Sequence, residues 1–187
     1  SIFLIAILYG CGSSVSPVDQ GLIDQVMHIG NGSEPQGLDP HIVTGVPEHH
    51  LLITMCEGLT ISNPEGGANL PGMAESWDIS EDGRTYIFNI RKDAKWSNGD
   101  DFTAEDIVWS WMRVLTPSLG SQYPDMLYYL VGAEDFNTGV ITDFSEVGVK
   151  ALDNKTLEVN LINPTPFFLG LLSHYSTWPV HKETVLK

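Results

Sequence analysis

Basic residues are scarce in this chain. Nine Lys and Arg stand against 24 Asp and Glu, for a formal net charge of −15. Holding a nucleic-acid backbone needs clustered cations, so nucleic acid is excluded as a partner. The acidic residues are dispersed rather than run together, which suits a solvated surface. Cysteine is scarcer still: Cys11 and Cys56 make no disulfide framework. Metal-ligand spacings are missing too. There is no His-Glu-x-x-His and no paired Cys-x-x-Cys, and the adjacent His49 and His50 would point about 100° apart on a helix. No metal site and no cofactor are therefore expected. G-x-G-x-x-G, G-x-x-x-x-G-K-[ST] and G-x-S-x-G are all absent. The carboxylates could hide an acid/base pair of glycosidase type, but no spacing selects one. A carboxylate-dependent hydrolase is thus the weaker of the function classes, and no catalytic residue can be named.

What is present is enough apolar material for a core: 42% hydrophobic residues and five Trp in 187 residues, which suits one ordinary domain or two small ones. The sequence starts at Ser1, and no basic stretch precedes the apolar run Ile2 to Cys11, so a truncated N-terminus is expected. That run suits the apolar part of a secretory signal and is too short to span a bilayer. Leu8-Tyr9-Gly10-Cys11 resembles a bacterial lipobox, with Gly10 at the cleavage position and Cys11 carrying lipid. Tyr9 is bulkier than usual there, and a buried element ending in Gly-Cys is the alternative. Cys56, at the end of Leu51-Leu52-Ile53-Thr54-Met55, reads as a buried, inert thiol.

Residues 12–24 read as a polar spacer and Gln25–Ile29 as a short strand. Leu38-Asp39-Pro40-His41 is extended. A helix begins near Pro47 and runs to about Glu57, with Gly58 placed to cap it. Trp77 to Ile90 is a hairpin about Glu81-Asp82-Gly83, with Tyr86, Phe88 and Ile90 alternating. Thr103, Glu105 and Asp106 mark a helix start, and Ile107, Val108, Trp111 and Leu115 form its apolar face. A second helix is expected over Pro124 to Phe136. A second hairpin turns at Asp153-Asn154-Lys155 between Val147, Val149, Ala151 and Leu157, Val159, Leu161. A short apolar helix covers Phe167 to Leu172, and Lys187 falls inside a further helical pattern, so the C-terminus is expected to be cut as well. Trp77 and Trp111 read as core; the role of Trp96 stays open.

Four segments form an ordered series: Pro71-Gly72-Met73-Ala74-Glu75-Ser76-Trp77, Asp82 to Arg91, Lys95-Trp96-Ser97-Asn98-Gly99 and Thr103-Ala104-Glu105-Asp106. The series resembles the signature of the family 5 extracellular solute-binding proteins of ABC importers. Asn31 to His41, Gly45-Val46-Pro47-Glu48 and the stretch from Ile141-Thr142-Asp143 through Thr156-Leu157-Glu158-Val159 resemble its oligopeptide-binding members most. The likeness covers roughly residues 25–187, and a series in order is more specific than one short pattern.

The resemblance implies an α/β fold of the periplasmic-binding-protein type (type II, bilobal), closing by hinge motion, of which this chain holds the N-terminal part with an extra small α+β domain. It implies these bounds: 1–11 signal remnant and lipobox, 12–24 linker, 25–56 start of lobe I, 57–181 the extra domain, 182–187 re-entry into lobe I. The second lobe would lie beyond Lys187. The implied function is capture of oligopeptides in the periplasm and delivery to ABC permease subunits, by a monomer held at a membrane through lipid on Cys11. Nickel, haem, a sugar or a signalling peptide are the other solutes such a fold takes. In this family the peptide lies as an extended strand whose backbone is paired and whose side chains enter roomy, hydrated pockets. The matching segment is Thr44-Gly45-Val46; the oligopeptide-binding relative carries glutamate at the position of Thr44. Tyr123 matches a pocket-lining tyrosine and serves equally as a packing residue where a helix begins. Val46 has packing against the next helix as its plainer role.

Overall fold

A computed structural model describes residues 15–187. Cys11 and the lipobox lie outside the described residues. The chain divides into two compact units between Ser33 and Glu34.

In the first unit the expected spacer is helical in its second half. Helix α1 (Pro17–Asp24) starts because the Ser16 hydroxyl accepts from the Asp19 N–H and Pro17 fits a first turn. It stops at Gln25, whose φ of 56° is left-handed. The strand expected over Gln25–Ile29 is not formed: among the described residues no strand pairs with it, and a lone strand makes no ladder.

The second unit opens with a turn at Asp39–Val43 and helix α2 (Val46–Met55). Its C-cap is Cys56 in extended conformation, so Gly58 is not the cap. Cys56 is exposed rather than buried, because α2 turns Leu52 inward and Cys56 lies past its end. Strands β1 (Thr60–Ile61) and β2 (Leu70–Pro71) form a small antiparallel pair.

The main sheet is antiparallel. It comprises β3 (Ala74–Ile79), β4 (Thr85–Ile90), β5 (Val149–Ala151) and β6 (Thr156–Asn160), in the order β3-β4-β6-β5. The β3–β4 turn needs Gly83, whose φ of +68° is strained for other residues. Register places Phe88 opposite both Trp77 and Leu157, and Tyr86 opposite Val159. Tyr86, Phe88, Ile90, Leu157 and Val159 face one core, as the alternation predicts.

Helix α3 (Ala104–Leu115) packs against β5 and buries Ile107, Trp111, Val114 and Leu115. Its start is a capping box: Asp106 Oδ2 accepts from the Thr103 N–H at 2.8 Å and the Thr103 hydroxyl at 3.0 Å. Trp96 lies half-buried against this core, edge-on to Phe102. Trp111 is fully buried, whereas Trp77 is only half-buried.

The helix expected over Pro124–Phe136 is broken. A 3-10 turn (Pro124–Leu127) gives way to a bridge between Leu130 and Leu161, and Val131 donates to the Asn160 carbonyl. Gly132, at φ +70°, then starts a separate helix α4 (Ala133–Thr138). Pairing with the end of β6 thus wins over helix continuation. The chain closes with α5 (Phe168–Leu171), a 3-10 turn at Tyr175–Thr177 and α6 (Lys182–Val185).

Replacing Asp106 with Ala removes the reciprocal cap and leaves the Thr103 N–H unpaired. Urea unfolding should show a loss of about 1–2 kcal/mol with the core unchanged.

Candidate functional site

The turn before α2 is built on Asp39. Its carboxylate accepts from the His41 N–H at 3.0 Å, and its carbonyl accepts from the N–H groups of Ile42 and Val43, both at 3.1 Å. Arg113, in the last turn of α3, grips both carboxylate oxygens, at 3.0 and 2.5 Å. Burial would raise the Asp39 pKa, but the bond to Arg113, the His41 N–H and the Arg113 charge outweigh it and hold the carboxyl below its usual range.

His41 is buried at 1% exposure between two partners. Its Nε2 lies 2.8 Å from the Trp178 carbonyl, which can only accept, so Nε2 carries the hydrogen. Nδ1 is therefore bare and accepts from Arg113 Nη1 at 2.8 Å. The imidazole is neutral. Burial first, and then the Arg113 charge, push its pKa down to about 4 against the opposing Trp178 carbonyl and Asp39.

From this anchored turn the chain runs into Thr44-Gly45-Val46. The Tyr175 hydroxyl donates to the Val43 carbonyl at 3.2 Å and pins the segment from behind. Burial, aided by Tyr123, pushes the Tyr175 pKa up to about 12, so it stays a donor. Among the described residues the N–H and C=O of Thr44 and the N–H of Val46 make no hydrogen bond. Thr44 and Val46 are exposed, with Gly45 between them as the N-cap of α2.

A cavity of about 570 Å³ lies alongside, with Leu38, Thr44, Gly45, Glu48 and Gln122 in its wall. Glu48 is buried, and its Oε1 accepts from the Gln36 N–H at 2.6 Å. A Cβ on Gly45 would collide with the other Glu48 oxygen, so a glycine here lets the carboxylate fold back over its own helix start.

Tyr123 is half-buried and sits edge-on to His174 at 5.2 Å and to Tyr175 at 6.2 Å. His49 joins the group at 5.6 Å from Tyr175. Burial, then the charge of His49, lowers the His174 pKa against Asp125. Thr44 and Gly45 thus share the cavity wall, Val46 follows directly, and Tyr123 stands in the aromatic group next to Gln122. No local pattern in the sequence assigns a role to Arg113, His41, Glu48 or Tyr175. Asp39-Pro40-His41 was visible as a motif, but its partners are 74 and 137 residues away. Among the described residues no group of three or more His, Cys, Asp and Glu is placed to hold a metal ion.

A model of the bacterial extracellular solute-binding proteins, family 5, matches residues 70–187. The chain belongs to this family. The periplasmic oligopeptide-binding protein OppA of Escherichia coli is 45% identical over 159 residues, 84% of this chain and 29% of the relative. Its counterpart in Haemophilus influenzae is 38% identical over 191 residues, all of this chain and 35% of the relative. The crystal structure of Haemophilus influenzae OppA in complex with RPPGFSPFR superposes with a TM-score of 0.78 at 40% identity, covering 83% of this chain and 30% of that one. The chain thus spans about a third of the length of these relatives. The fold is the corresponding part of the type II periplasmic-binding-protein fold, and the family is one of binding proteins, not enzymes. No helix among the described residues is long and apolar enough to cross a membrane.

Gly45→Ala should displace the Glu48 carboxylate and break its bond to the Gln36 N–H. Because that carboxylate ends a flexible side chain, the expected cost is about 1 kcal/mol, read by denaturant unfolding.

Proposed function

We propose that this chain forms one wall of the ligand cleft of a periplasmic oligopeptide receptor that serves an ABC importer and delivers peptide to its permease subunits. The observation that carries the reading is the Thr44–Val46 edge. The N–H and C=O of Thr44 and the N–H of Val46 lack partners among the described residues, Thr44 and Gly45 line a 570 Å³ cavity, and Tyr175 holds the Val43 carbonyl just before them. Thr44 offers both its N–H and its C=O, and Val46, the first residue of α2, offers a first-turn N–H, so a peptide main chain laid along this edge can pair with them. Such pairing binds a peptide without reading its sequence, and the cavity beside it leaves room for varied side chains. Thr44 supplies backbone and no charge. Tyr123 stands as a wall residue of the same cleft.

The domain bounds belong to the same reading: 25–56 begins lobe I, 57–181 is the extra domain and 182–187 re-enters lobe I. Cys11 is the lipid-bearing residue that keeps the receptor at a membrane. Half of a clamp lacks the opposing contacts and the water exclusion of closure, so residues 12–187 alone should bind peptide weakly or not at all.

Calorimetry on the full-length protein with mixed short peptides should give heat of binding; silence with every peptide would count against the proposal. Val46→Pro is the sharper probe. Proline fits a first helical position and removes the N–H. Affinity should fall about 3- to 10-fold, one hydrogen bond's worth, with unfolding unchanged. Metabolic lipid labelling of the full-length protein should vanish in Cys11→Ser, and persisting label would rule out the anchor.

A further inference from the structure

The turn that carries the ligand edge is held by a group that can change its charge. We propose that His41 is a positioning residue for the Thr44–Val46 edge, acting through Arg113 and Asp39, and that a proton on His41 releases that edge. This rests on reading the edge as peptide-binding.

Both imidazole nitrogens are committed. Nε2 donates to the Trp178 carbonyl and Nδ1 accepts from Arg113, each at 2.8 Å. An added proton has only Nδ1 to occupy. It would set an N–H against a guanidinium N–H, two donors of like charge with no acceptor between them. One of the two side chains must then move. The same guanidinium grips both oxygens of Asp39, and Asp39 closes the turn onto His41, Ile42 and Val43. Thr44 follows without a break.

The charged groups that face His41 are Arg113 from α3 and Asp39 from its own turn; the segment after the Tyr175–Thr177 turn offers the Trp178 carbonyl. Burial and Arg113 oppose the proton more than Asp39 and the carbonyl favour it, which takes the imidazole from 6.5 to about 4. The released state therefore binds more protons between these two values. The edge is held fully above about pH 6.5 and is freed progressively as pH falls toward 4.

The variant that separates this from plain packing is His41→Gln. A glutamine amide can donate to the Trp178 carbonyl and accept from Arg113, but it takes no proton near pH 5. The experiment uses the full-length protein and trialanine, measuring affinity by calorimetry at pH 7 and pH 4.5, with amide exchange followed in parallel. Wild-type affinity should drop roughly tenfold at the lower pH, and His41→Gln should stay within about twofold. Exchange protection at Ile42 and Val43 should fall in the wild type alone, while Tyr86 and Phe88 in β4 stay protected. An unchanged wild-type affinity, or an equal drop in His41→Gln, overturns the proposal. If trialanine and other short peptides do not bind at pH 7, the peptide reading fails instead, and exchange alone decides: acid-dependent opening at Ile42 and Val43, absent in His41→Gln, supports the latch, and its absence overturns it.

Discussion

The guanidinium of Arg113 is the constraint on which the arrangement around Thr44 to Val46 depends. A cation this well shielded is tolerable only when paired, and Asp39 pairs it through both oxygens. That pairing joins the end of α3 to a turn 74 residues earlier in the chain. Two neighbours on the same helix extend the grip. Trp111 donates to the Thr177 carbonyl, and the Ser110 hydroxyl accepts from the Val180 N–H. Residues 39–43 and 177–180 are thus fastened to one helix by side chains instead of a shared ladder. Side-chain fastening fixes position while leaving the N–H and C=O of Thr44 and the N–H of Val46 without partners among the described residues.

Local pattern explains what was legible in the sequence. The α3 start was readable because Thr103 and Asp106 are three residues apart and act on each other. The two hairpins were readable because Tyr86, Phe88, Leu157 and Val159 alternate with half-exposed neighbours. Failures came where distant partners decide. Leu130 and Val131 join Leu161 and Asn160, which no helical periodicity over Pro124–Phe136 reveals. Gln25–Ile29 has the composition of a strand but no neighbour among the described residues. Cys56 follows an apolar run yet lies beyond the one face of α2 that is buried. At the candidate site Thr44, Gly45 and Val46 could be singled out by resemblance. The Asp39–Arg113–His41–Trp178 chain could not, since its members are scattered from residue 39 to residue 178.

The site also divides labour between kinds of atoms. The Thr44 N–H and C=O and the Val46 N–H have no partners among the described residues, while the charged side chains of Asp39 and Arg113 are paired with each other. Glu48 lies buried under its own helix start. A surface made this way offers direction and hydrogen-bonding capacity but little charge. That suits a receptor whose ligands share a main chain and differ in side chains.

The central ladder has a consequence for the order of assembly. Strand β4 pairs with β3 across a tight turn, but its other edge pairs with β6, and Thr85 meets Asn160 75 residues later. As the polypeptide emerges from the ribosome, the first hairpin can close at once. The apolar face of Tyr86, Phe88 and Ile90 must then wait for the second hairpin before its sheet is complete. High contact order of this kind slows folding and prolongs exposure of an unpaired strand edge. For the periplasmic receptor proposed above that delay is useful, because a chain that folds late can still be threaded through a translocation channel.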